Sequence, residues 1–166
     1  MPDEHRARIA EAKGLLTPFL RAKQVEAAGL GTPSDLARKR LLPRDDDYAK
    51  VFAPQLAEQA KAAYTKLWET GPAPTAKPHH TEVRLFAITV EELREGTELA
   101  RKFPGGLREM AHVLQPGPVW MRFRFAEAGN DVGMVFDGLV YVDDHWAWFP
   151  KPWRVLQVPT EPRARP

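Results

Sequence analysis

Residues 119–126 read Val119-Trp120-Met121-Arg122-Phe123-Arg124-Phe125-Ala126, and the alternation within them decides the fold. Side chains along a strand point to opposite faces at a period of two, so Val119, Met121, Phe123 and Phe125 share one face. Trp120, Arg122, Arg124 and Ala126 take the other. An apolar face backed by a charged one is the pattern of an antiparallel strand packed on one side. Upstream, residues 82–88 alternate in the same way, with Val83, Leu85 and Ala87 against Arg84, Phe86 and Ile88. Downstream, residues 132–142 form either one long strand with a glycine bulge or two strands around Asp137-Gly138. Asp-Gly between apolar runs is a hairpin signal, and glycine equally marks bulges. Asp143-Asp144-His145 then turns the chain back, leaving His145 in solvent. Residues 146–149 make the last strand, and Pro150-Lys151-Pro152-Trp153-Arg154 continues as extended edge structure.

Before residue 80 the periodicity is helical. Residues 4–28 suit a helix with Ile9, Leu16, Leu20 and Val25 on its apolar stripe, divided or kinked at Pro18. Thr32-Pro33 offers an N-cap followed by proline in the first turn, and that helix stops before Pro43. An aspartate among Asp45, Asp46 and Asp47 caps the next helix, over residues 48–69. There Tyr48, Val51, Phe52, Leu56, Ala60, Ala63, Tyr64, Leu67 and Trp68 recur on one face, with a kink or break at Pro54. Residues 71–78, with three prolines, form an extended connector. Between the first two strands, Thr89 and Glu92 match a capping box for a helix to residue 102. Phe103-Pro104-Gly105-Gly106 is a turn, and a short helix follows with Leu107, Met110, Ala111 and Leu114. The expected fold is therefore α+β. N-terminal helices (residues 1–44) pack on a domain at 45–158 whose antiparallel sheet has four to five strands and one or two inserted helices. Residues 159–166 form a disordered tail.

The bulk composition excludes several classes of function. A chain of 166 residues, 43% hydrophobic and 28% charged, is long enough for a core and far from the composition of disorder. Its net charge of +2 lacks the basic stripe of a nucleic-acid binder, and Arg38, Lys39, Arg40 and Arg44 are followed at once by three aspartates. With no cysteine, neither disulfides nor thiolate zinc sites can form, which suits a reducing cytoplasm. No apolar run has the length of a membrane span, and the N-terminus lacks a signal-peptide pattern, although a chain trimmed of its leader would read the same.

The order of elements, closing on Tyr141-Val142-Asp143-Asp144-His145-Trp146-Ala147-Trp148-Phe149, resembles the NTF2-like superfamily, of the cystatin-like α+β type. The resemblance covers residues 48–156. It implies helices packed into the concave face of a curved sheet, in a fold that hosts both small-molecule enzymes and non-catalytic binding modules. No Asp/His or Tyr/Asp pair of the superfamily's enzymes can be matched here. The tract at residues 149–154 also resembles the endings of uncharacterised bacterial proteins.

Candidate chemistry is sparse. His79 and His80 are neighbours, so in extended chain they point apart and cannot share a metal ion; they read as a solvated loop. No metal ligand set or cofactor motif is present. His112 lies beside the apolar face of its short helix, either as a pocket acid or base or held by a backbone carbonyl. Within a single strand, Asp137 would sit among apolar groups and could act as an acid or base; in a turn it would be solvated. One reading is a non-enzymatic binding or inhibitory module, of the immunity-protein kind, that meets a protein partner through Trp120, Arg122, Arg124, Trp146, Trp148 and Trp153. Tryptophan and arginine are enriched at binding hot spots. A homodimer is compatible with this reading, which requires neither nucleic acid nor a membrane span. The alternative is an NTF2-like enzyme or ligand binder whose pocket contains Asp137, His112, Tyr141 and Trp120.

Overall fold

Two threonines start helices by the same device. The Thr32 hydroxyl accepts from the Asp35 N–H at 3.1 Å, and the Thr89 hydroxyl from the Glu92 N–H at 3.2 Å; each acid bonds back to its threonine N–H. Such boxes satisfy the free N–H groups of a first turn and fix where a helix begins. The structure, a computed structural model, describes residues 3–159. Its elements are α1 (Asp3–Leu16), a 3₁₀ turn at Thr17–Arg21, α2 (Ala22–Ala27), α3 (Pro33–Leu41), α4 (Asp47–Val51) and α5 (Pro54–Glu69). Then come β1 (Glu82–Thr89), α6 (Val90–Glu95), a 3₁₀ turn at Leu99–Lys102, α7 (Gly105–Glu109) and a 3₁₀ turn at Ala111–Val113. Strands β2 (Val119–Ala126), β3 (Gly133–Val142) and β4 (His145–Trp148) follow, and α8 (Pro152–Val155) closes the described chain.

The fold is α+β, as the alternating strands predict. The four strands pair antiparallel in the order β1-β2-β3-β4. Pro18 divides the first helical stretch and Pro54 separates α4 from α5, because neither ring can continue the preceding helix. Four expectations are corrected. The helix expected over residues 90–102 is two pieces, since Gly96 takes a left-handed φ of 68° and ends α6. The turn expected at residues 103–106 gives way to α7, which begins at Gly105 directly after Pro104. Residues 152–155, expected to be extended, form α8: Pro152 occupies its first turn after Lys151 turns the chain at φ 44°. Val25, placed on the apolar stripe, is exposed instead. The tail expected from residue 159 lies, from residue 160 on, outside the described residues.

Residues 132–142 resolve as one strand with a bulge. Met121 pairs with Leu139, but its neighbour Arg122 pairs with Asp137, so Gly138 is the extra residue. Gly138 holds φ at 91°, its carbonyl accepts the Phe149 N–H at 2.8 Å, and any Cβ there would overlap the Phe149 carbonyl oxygen. Glycine alone fits.

The core lies on both faces of the sheet. Directly paired residues share a face, so Val83, Leu85 and Ala87 stand with Met121, Phe123, Phe125, Phe136, Leu139, Tyr141, Trp146 and Trp148. The N-terminal helices cover this face: α1 packs along β1, α3 meets β4, and the Arg8 guanidinium sits 3.8 Å from the Tyr141 ring centroid. On the opposite face, Trp120 and Phe149 are met by Phe52 after α4, at centroid distances of 6.4 and 5.3 Å. Tyr64 of α5 joins the same aromatic group at 5.4 Å from Phe149, and its hydroxyl donates to the Pro150 carbonyl at 3.1 Å. Among the described residues, no helix is long and apolar enough to cross a membrane.

Candidate functional site

The second face of the sheet is most closely covered at one end. At that end the chain after α4 bridges across to Leu114 and presses Phe52 onto Trp120. Beyond it, the same face carries Arg84, Phe86, Arg122, Arg124 and Val135, each half-buried, together with the buried Asp137. Register brings them together: Arg84 is opposite Arg124, Phe86 opposite Arg122, and Arg122 opposite Asp137.

Main-chain carbonyls aim two of the three guanidiniums. Arg122 Nη1 donates to the Lys102 carbonyl at 2.8 Å, and Arg124 Nη1 donates to the Asp131 carbonyl. Arg84 is paired with acids, at 3.2 Å from Glu82 and 2.8 Å from Asp131. Lys102 Nζ lies 4.9 Å from the Phe86 ring centroid, adding a further cation to the rim. A carbonyl orients a guanidinium without cancelling its charge, so this face stays positive at Arg124.

Asp137 has another character. Only 7% of it is exposed, and burial raises its carboxyl above the usual value, with Arg122 and Lys151 pulling the other way. Arg122 Nε is 3.2 Å from Asp137 Oδ1, but its N–H does not point at the oxygen, so the contact is Coulombic and both atoms lack a hydrogen bond. Trp120 Nε1 and Arg124 Nε, on the same face, also lack one. Four unsatisfied polar atoms thus lie in a row along β2 and its neighbour.

The remaining expected site residues are scattered. Trp120, expected to point outward, is fully buried, because Phe52 covers that end of the face. Trp146 and Trp148 share the opposite face: Trp146 packs on Tyr141 at 5.0 Å, and Trp148 on Trp68 at 6.1 Å. Trp153 stands on α8 over Gly106, where a Cβ would strike its ring. The six residues expected to form one surface therefore divide among three places. Asp137, Tyr141 and His112 do not converge either. Tyr141 faces the N-terminal helices, and His112 has a carbonyl against each ring nitrogen, of Glu109 at 3.0 Å and Pro159 at 2.9 Å, and as a neutral ring donates to one of them. His80 is buried rather than solvated: its Nδ1 accepts the Lys77 N–H at 3.0 Å, and burial lowers its affinity for a proton. Among the described residues no three His, Asp or Glu side chains are grouped to hold a metal ion.

Sequence reasoning missed one polar cluster. His145 is not exposed; its ring lies between Asp144, at 3.0 Å, and the fully buried Asp47, at 2.8 Å. Asp47 also accepts the Arg44 N–H at 2.8 Å, while Asp46, at the N-cap position, makes no capping bond. The His145 hydrogen bond and the nearby Arg44 hold the Asp144 carboxyl below its usual value. Lys50 pairs with Asp46 and Asp143 beside this cluster. The signal was available as a histidine among aspartates in one turn and a triple aspartate far upstream, but nothing local joins the two.

No family model, curated protein or solved structure matches the chain.

Proposed function

We propose that this chain is a non-enzymatic binding module, inhibitory in the manner of an immunity protein, that engages an acidic surface of a protein partner through the arginine face of its sheet. One observation carries the reading: Arg124 projects half-exposed from this face with a carbonyl tether that leaves its charge available, beside Arg122 on the same face, whose charge is shared with Asp137. Pre-aimed guanidiniums lose little freedom on binding and match carboxylates well. The NTF2-like resemblance belongs to the same proposal and is supported by helices that precede and flank an antiparallel sheet. So does a cytoplasmic setting, which the cysteine-free composition favours.

The test is co-purification with wild type and Arg124→Glu at about 50 and 500 mM salt, since surface charge attraction is screened at high salt. A partner retained by wild type at low salt, and lost in the variant without a change in melting temperature, supports the proposal. The same partners held equally by both proteins would refute it.

The buried, unsatisfied Asp137 favours a second reading, a small-molecule pocket with Trp120 and Arg122 beside an acid whose burial raises its carboxyl above the usual value. Here Asp137 alone would do the proton transfer, since His112 and Tyr141 lie elsewhere.

A further inference from the structure

Apart from the sheet face, a second group of cations surrounds an opening. Arg94, in the last turn of α6, donates from Nε to the Ala111 carbonyl at 3.0 Å and from Nη2 to the Leu114 carbonyl at 2.7 Å. Both bonds fix the plane of its guanidinium, and neither supplies a negative charge. Its Nη1 makes no hydrogen bond among the described residues. Arg108, on α7, is exposed and pairs with no carboxylate among them. His112 also lines the opening, with the Glu109 and Pro159 carbonyls against its two ring nitrogens, one carbonyl accepting its N–H. These three side chains and Ala111 line a cleft of about 370 Å³, within the ~300–1,000 Å³ range of small-molecule sites.

We propose that this cleft binds the phosphate group of a small phosphorylated molecule. Two guanidiniums sharing one opening, with no acid paired to either among the described residues, repel each other, and a single carboxylate would neutralise only one of them. A phosphate monoester carries about −1.5 to −2 charges near neutral pH and presents three acceptor oxygens, which answers both arginines at once. Arg94 is already aimed by its carbonyls, so Nη1 can donate without reorganisation, and Arg108 closes from the solvent side. The cleft volume leaves room for the body of the ligand. The inference is independent of the sheet face, which uses other residues.

Calorimetric titration of the full chain with inorganic phosphate, phenyl phosphate and acetate tests it. Phosphate and phenyl phosphate should bind one to one with a Kd of about 1 mM or tighter at low salt, and acetate at least about tenfold more weakly. Arg108→Gln should weaken phosphate binding at least about tenfold with an unchanged melting temperature. Arg124→Gln, on the sheet face, should leave phosphate binding as it is. The proposal is overturned if phosphate shows no saturable binding at about 10 mM, if Arg108→Gln binds like wild type, or if the loss appears in Arg124→Gln instead.

Discussion

His145 Nε2 lies 2.8 Å from both carboxylate oxygens of Asp47, a side chain with no solvent exposure that stands 98 positions earlier in the chain. The contact ties the first turn of α4 to the β3–β4 hairpin, and Lys50 repeats the connection through Asp143 in the same turn. Removing His145 leaves a buried carboxylate with only the Arg44 N–H as partner. We expect His145→Ala to cost about 3 kcal/mol, in the range for breaking one side of a buried pair. Urea denaturation of the variant and wild type measures it. A loss below about 0.5 kcal/mol, the level of an ordinary surface change, would mean that the pair does not hold the hairpin.

Gly138→Ala should be among the most damaging single-methyl changes in the sheet. It forces an L-residue to φ 91° and places a Cβ against the Phe149 carbonyl oxygen, the acceptor end of the segment entering α8. Backbone strain of this type costs about 1–3 kcal/mol before any overlap is counted. Thermal melts decide, and an alanine variant as stable as wild type would show that the bulge can be removed.

Much of the scaffold was legible because its signals are local. The capping box at Thr89, the prolines at 18 and 54 and the alternation through Arg122 and Arg124 each act within a few residues of where they are read. The site was legible only in part, for a physical reason. Alternation tells which side of a strand Trp120 takes, but not whether Phe52, just after α4, arrives to cover it. Likewise the acids before α4 resemble a solvated cap, and only the fold brings His145 to Asp47. Helix α8 was missed because proline reads as extended chain unless its place in a first turn is known.

Asp137 makes stability depend on pH with a predictable sign. Burial raises its carboxyl above the ordinary value of 3.8, so between that value and the folded one the native state binds more protons than the unfolded chain. Stability contributed by this group is therefore highest at acid pH and falls as pH rises through that window. Asp137→Asn removes the titration. The variant should gain on wild type as pH rises from about 4 through that window, whatever constant difference the amide introduces. Chemical denaturation of both proteins across this range checks the slope, and a stability difference that stays flat or runs the other way would show that Arg122 outweighs burial.

Arg122 and Arg124 are two residues apart on one face and similar in exposure, yet they should respond differently to charge reversal. Arg122 stands 3.2 Å from the buried Asp137, so Arg122→Glu removes its compensating charge and adds a second carboxylate beside it. Losing one side of such a pair costs about 3 kcal/mol where both groups are buried, and somewhat less here because Arg122 reaches solvent. Arg124 meets a backbone carbonyl and the open face, so Arg124→Glu should change stability by less than about 0.5 kcal/mol. This difference makes Arg124 the position at which partner binding can be tested without disturbing the fold. If the two variants melt together, Asp137 does not depend on Arg122. If Arg124→Glu is the less stable, the face is packed rather than open and cannot serve as a docking surface.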